Sequence, residues 1–147
     1  MNSKQIEFVL IEDNPDDANL AIRELKKNNM TGKFIHLKDG EEALNFFFGI
    51  NNNKNIFEEH NIKLILLDLK MPKVDGLEIL KELRKNKITG AVPVVIFTSS
   101  AETKDIEKAY QLGVNSYIVK PVDFAEFTKV IKEIGYYWLS NNIVYYS

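Results

Sequence analysis

The sequence predicts an α/β fold in which five strands alternate with five helices and build one parallel sheet. Three observations predict it. Short apolar runs recur along the chain, and the strongest, Leu64-Ile65-Leu66-Leu67, has no polar alternation, as befits a strand buried on both faces. Most of the runs are followed by turn or capping residues and then by apolar positions at helical spacing. Most of these runs also end on a polar, chemically capable residue.

Residues 6–11 read as the first strand, with Phe8-Val9-Leu10-Ile11 apolar throughout. It runs into Glu12-Asp13-Asn14-Pro15, where Asp13 or Asn14 can cap a helix that starts with Pro15, Asp16 and Asp17. Leu20, Ala21 and Leu25 supply that helix's apolar stripe, and Asn28-Asn29 and Gly32 stop it. Residues 33–37 form a second, shorter strand. Asp39-Gly40-Glu41-Glu42 opens a second helix carrying Ala43, Leu44, Phe47 and Phe48. The Asn-rich residues 50–61 read as an exposed loop, the only low-complexity stretch.

The third strand is the Leu64 run, ended by Asp68 and then Met71-Pro72. Val74-Asp75-Gly76 leads into a third helix with Leu77, Leu80 and Leu83 at three-residue spacing. Residues 92–97 make the fourth strand, with Pro93 near its start, where no ladder donor is needed. After Thr98-Ser99-Ser100, a fourth helix runs over residues 102–112 and is closed by Gly113. Residues 116–119 are the fifth strand, ending in Lys120-Pro121. A fifth helix carries Phe124, Phe127, Val130, Ile131 and Ile134, and an aromatic tail occupies about residues 136–147.

Composition narrows the function classes. The 147 residues suit a single domain over 1–147, with neither repeat nor linker. Nineteen basic against 21 acidic residues leave a net charge of −2, so no global basic field favours nucleic acid. The absence of cysteine excludes disulfides and thiolate metal sites and fits a reducing cytoplasm. No run suits a membrane span or a signal peptide. His36 and His60 are expected to lie away from any site.

Four of the five strand ends carry reactive groups: Glu12 and Asp13, Asp68, Thr98, and Lys120. Ligands of open parallel sheets sit outside the carboxyl ends of the strands. Crowded carboxylates repel by roughly 4 kcal/mol per pair about 4 Å apart at an effective dielectric of about 20, so protons or a cation must offset them. Hard oxygen donors without His or Cys select Mg²⁺ or Mn²⁺. A metal on Asp13 and Asp68 would let a phosphate dianion approach, with Lys120 and the Thr98 hydroxyl holding its oxygens. Asp68, the central acid, is the candidate nucleophile.

Glu12-Asp13, Asp68, Thr98 and Lys120-Pro121 resemble the signature of the response-regulator receiver domain of two-component signalling, over nearly the whole chain. The resemblance implies a flavodoxin-like, doubly wound sheet of order 2-1-3-4-5 with helices on both faces. It implies phosphotransfer from a histidine kinase's phosphohistidine to Asp68, not turnover of a free substrate. It implies Mg²⁺ on Asp13, Asp68 and the backbone carbonyl of Lys70, with Glu12 reaching the metal through water. It also implies a cis Lys120–Pro121 peptide and a switch pairing Thr98 with Tyr117. The long loop before the third strand, Pro121-Val122-Asp123 with a following Phe, and Tyr137-Trp138-Leu139 are similar to stand-alone regulators paired with bacterial phytochromes. That similarity makes a bacterial phytochrome the candidate kinase and implies a homodimer through the fourth helix, fifth strand, fifth helix and tail.

Three other readings fit the same fold less well. A flavin or nucleotide binder wants a first loop of Ser, Thr or Gly, whereas 12–17 is acidic and contains Pro15. A phosphatase with an aspartyl intermediate wants a second acid two residues past its nucleophile, where this chain has Lys70. A degenerate receiver serving as a scaffold would lack a site residue, and none is missing. The short tail after the fifth helix leaves no room for a DNA-binding output domain, so signalling is expected through the domain's own surface.

Overall fold

The computed structural model describes residues 5–49, 60–85 and 89–146. The strands are β1 (Phe8–Ile11), β2 (Phe34–Leu37), β3 (Leu64–Leu67), β4 (Val94–Thr98) and β5 (Ser116–Val119). Between and after them lie α1 (Pro15–Lys27), α2 (Gly40–Phe48), α3 (Gly76–Lys85), α4 (Thr103–Gln111) and α5 (Phe124–Gly135). The strands are all parallel and ordered β2-β1-β3-β4-β5, as the resemblance implied. The Asn-rich loop falls at residues 50–61, of which 50–59 lie outside the described residues.

Both sheet faces are covered, which explains why the strands read as continuous apolar runs. Val9, Ile11, Ile65, Leu67 and Ile96 face a core with Ala43 and Phe47 of α2, Leu80 and Leu83 of α3, and Ala109 of α4. Phe8, Leu10, Leu64, Leu66 and Phe97 face the other core, with Leu25 of α1 and Phe127, Ile131 and Ile134 of α5. Adjacent residues on a strand thus enter opposite cores.

Side chains cap several of the helices. Asn14 Oδ1 accepts the Asp17 N–H at 3.0 Å ahead of Pro15. Asp39 caps α2 through the Glu42 N–H, and Asp123 caps α5 through the Glu126 N–H. Among the described residues no helix is long and apolar enough to cross a membrane.

The C-terminal aromatics divide between the two cores. A π-helical turn, Tyr136–Asn141, buries Leu139 and packs Trp138 against the α1–α5 side. The chain then crosses to the opposite core, where Tyr146 packs and donates its hydroxyl to the Ile62 carbonyl. Tyr136, Tyr137, Ile143 and Tyr145 remain at least half exposed. The tail is therefore only partly a free surface. Phe124 is 60% exposed, because it occupies the first position of α5, ahead of the buried stripe that begins at Phe127.

Candidate metal and phosphoacceptor site

The site grows from the register of the sheet. Ile11 pairs with Leu67, so Glu12 and Asp68 leave β1 and β3 at the same level. The Asp68 N–H bonds the Ile11 carbonyl at 3.0 Å and extends the ladder by one residue. Thr98 pairs with Val119, and the Lys120 N–H bonds the Thr98 carbonyl at 2.7 Å. The four strand ends predicted to converge do so at one edge.

Carboxylate oxygens of Glu12, Asp13 and Asp68 lie within 4.8 Å of one another. Glu12 and Asp68 are buried and Asp13 is open to solvent. Lys120 Nζ sits 2.8 Å from Glu12 Oε1 and 3.2 Å from Asp68 Oδ2. It also lies 2.8 Å from Asp17 Oδ2, a carboxylate from the first turn of α1. Burial, then the charge of Asp68, pushes the Glu12 carboxyl up to about 8, against the opposing hydrogen bond and charge of Lys120. Burial alone would lower the Lys120 pKa, but hydrogen bonds to Asp17 and Glu12 and the Asp68 charge outweigh it and raise it.

This donor set fits a divalent cation. It consists of three carboxylates with neither His nor Cys, which suits a hard ion such as Mg²⁺ or Mn²⁺. An acid whose ionised form is disfavoured by burial and by a like charge is one that a cation would stabilise as the anion. Lys70 follows in the turn after β3, and its N–H approaches Asp68 Oδ1 at 3.4 Å.

Thr98 is fully buried, with its Oγ1 3.4 Å from the Ser100 N–H. Tyr117, partly buried on β5, donates its hydroxyl to the Ser100 carbonyl at 2.9 Å. The expected switch residues, at the end of β4 and on β5, thus both contact Ser100 of the loop after β4.

Two expectations need correction. The Lys120–Pro121 peptide is trans, not cis. Trans is favoured for X–Pro bonds by about 0.5–1 kcal/mol, and with this backbone Lys120 still reaches all three acids. His36 is not remote: its Nε2 lies 2.8 Å from the Glu12 carbonyl, to which a protonated ring nitrogen donates. His60 is elsewhere, accepting the Ile6 N–H through Nδ1.

Asp17 is a site residue that sequence reasoning missed. In the sequence it reads as a helix-dipole acid, and only the contact with Lys120, 103 residues away, gives it another role. The acid four residues past Asp13 was the available signal, but many helix first turns carry one.

A family model for the response regulator receiver domain matches residues 8–132. The chain is a response regulator receiver. This receiver is 34% identical over 132 residues to response regulator Rcp1 of Synechocystis sp., covering 90% of this chain and 88% of that protein. It is 35% identical over 135 residues to the probable methanogenesis regulatory protein FilR2 of Methanothrix harundinacea, covering 92% of this chain and 84% of that protein. The crystal structure of Mn²⁺-bound Rcp1 matches with a TM-score of 0.83 at 31% identity, covering 95% of this chain and 99% of that one. The phosphorylated cyanobacterial phytochrome response regulator RcpA matches with a TM-score of 0.81 at 30% identity, covering 95% and 98%. In sequence and structure the receiver is similar to phytochrome response regulators.

Proposed function

We propose that this receiver takes a phosphoryl group from a histidine kinase's phosphohistidine onto Asp68 in a Mg²⁺-dependent reaction. The observation that carries this reading is Lys120 Nζ held 3.2 Å from the buried Asp68 carboxylate, beside the open Asp13. An Asp68 oxygen attacks phosphorus, the donor's N–P bond breaks, and its electron pair stays on the imidazole. Lys120 and the Thr98 hydroxyl hold phosphoryl oxygens. Asp13, Asp68 and the Lys70 carbonyl would hold the metal, with Glu12 behind a water, and the metal supplies charge neutralisation. The chain acts as one receiver unit in the cytoplasm, a phosphoacceptor rather than an enzyme on a free substrate.

A cleft of about 310 Å³ opens beside Lys120, lined by Asp17, Leu20, Pro121, Val122 and Phe124. Its apolar rim suits a protein donor better than a flavin, and the acidic first loop disfavours any resident phosphate. Similarity to phytochrome response regulators makes a bacterial phytochrome the candidate kinase. The reading is tested by incubating the protein with acetyl phosphate with and without Mg²⁺. Label should appear only with the cation. Asp13→Asn removes one ligand charge and should weaken Mg²⁺ binding about tenfold or more, read by calorimetry. Equal affinity would remove Asp13 from the metal site.

Thr98 and Tyr117 form the switch, biasing the α4–β5–α5 face between two states on phosphorylation. No nucleic-acid contact enters this reading. A homodimer fits the exposed Tyr136, Tyr137, Ile143 and Tyr145. Ile143→Ser with Tyr145→Ser should shift sedimentation toward monomer with little loss of stability. Truncating the whole tail would instead also remove Leu139 and Tyr146 from the cores. A parent protein that is monomeric both with and without phosphorylation would overturn the dimer.

A further inference from the structure

Three carboxylates are buried among the described residues: Glu12, Asp68 and Asp105. The first two belong to the site. Asp105 does not, and its burial on the first turn of α4 needs a separate reason. An acid there could serve the helix dipole from an exposed position, without desolvation. Instead Asp105 Oδ2 accepts the Ser100 hydroxyl at 2.6 Å and lies 3.2 Å from Lys70 Nζ.

The two partners are placed alike. Lys70 is two residues past Asp68, and Ser100 is two residues past Thr98. Lys70 is tied to the phosphoacceptor by its N–H, 3.4 Å from Asp68 Oδ1. Ser100 is tied to Tyr117 by its carbonyl. One carboxylate on α4 thus joins the turn after β3, the loop after β4, and β5.

We propose that Asp105 is a positioning residue that couples the charge on Asp68 to the placement of α4, by holding the Lys70 ammonium and yielding it when Asp68 is phosphorylated. The proposal rests on the reading of Asp68 as phosphoacceptor. A phosphoryl group brings about −1.5 to −2 charge where one carboxylate charge stood. Lys70 then faces two competing anions, one on its own turn and one on α4. As the ammonium turns toward the phosphoryl oxygens, Asp105 keeps only Ser100, and α4 and the Ser100–Tyr117 contact relax together. The Lys70 side chain is more than half exposed, so it can move without crossing packed side chains.

The test uses the full chain, isotopically labelled, with phosphoramidate and Mg²⁺. Phosphorus NMR measures the labelled fraction, and proton–nitrogen and aromatic spectra follow α4 and Tyr117. Wild type should label and shift both. Asp105→Asn should label, yet its shift per labelled molecule should fall at least about twofold, because an amide holds an ammonium weakly. Lys70→Met should reproduce that loss, and Asp105→Asn should add nothing in the Lys70→Met background. A full-sized shift in labelled Asp105→Asn overturns the proposal. So does an Asp105→Asn effect undiminished without Lys70, which would mark a structural role through Ser100 alone. If Asp105→Asn fails to fold, Lys70→Met decides alone: a reduced shift supports the link and a full one overturns it. Absence of label on wild type would instead overturn the phosphoacceptor reading beneath it.

Discussion

Asp68→Asn should abolish labelling by acetyl phosphate while leaving the fold in place. Asparagine keeps the shape of the side chain but offers no carboxylate to attack phosphorus, so the rate should fall by more than about 1,000-fold. The fold survives because Lys120 keeps Glu12 and Asp17, each at 2.8 Å. Removing Asp68's charge also relieves Glu12, whose carboxyl is pushed up to about 8 by burial first and Asp68 second. In metal-free wild type, folded Glu12 binds its proton more tightly than the unfolded chain does. Its contribution to stability is complete below the unfolded pKa and is lost as pH rises from about 4.5 to about 8. Asp68→Asn should flatten that loss, seen as a shallower fall of melting temperature with pH in the presence of chelator. Mass spectrometry checks the label. Undiminished acid-labile label on the variant would place the phosphoacceptor elsewhere.

Gly76→Ala should cost about 2–4 kcal/mol and disturb the site at once. Gly76 opens α3, and its N–H bonds the Leu69 carbonyl at 3.0 Å. A Cβ there would press into the Asp68 carbonyl oxygen and lie 2.9 Å from Leu69 Cα. These are backbone atoms, so no rotamer change relieves the overlap, and the turn carrying Asp68 must move. In an open helix, alanine would be favoured over glycine by about 1 kcal/mol, opposite in sign. Denaturant melts should show the loss, and labelling per folded molecule should fall with it. Gly90→Ala is the control, because its nearest heavy atom lies 3.9 Å away and little should change. Equal stability of Gly76→Ala and wild type would refute the close approach.

Glu12, Asp13, Asp68, Thr98 and Lys120 were legible in the sequence because strand ends are legible. A continuous apolar run marks a strand covered on both faces, and the first polar residue after it must fall at the sheet's edge. The helix starts at Asn14 and Asp39 were legible for a similar reason, since capping is a contact between near neighbours. Strand order came from resemblance, because local patterns do not encode which strands pair.

Tertiary structure decided what depends on distant partners. Asp17 and Asp105 look alike in sequence, each an acid in a helix's first turn. Only the packing of α1 and α4 gives one to Lys120 and the other to Lys70 and Ser100. His36 was read as remote, yet the pairing of β2 with β1 brings it to the Glu12 carbonyl. The tail's composition showed a surplus of aromatics, but the chain's path sent Leu139 and Tyr146 into opposite cores and left Ile143 and Tyr145 outside. Local sequence sets which residues cap, turn and alternate. Register and helix packing choose which of the remaining charges meet, because those contacts span up to 103 residues and leave no periodic trace.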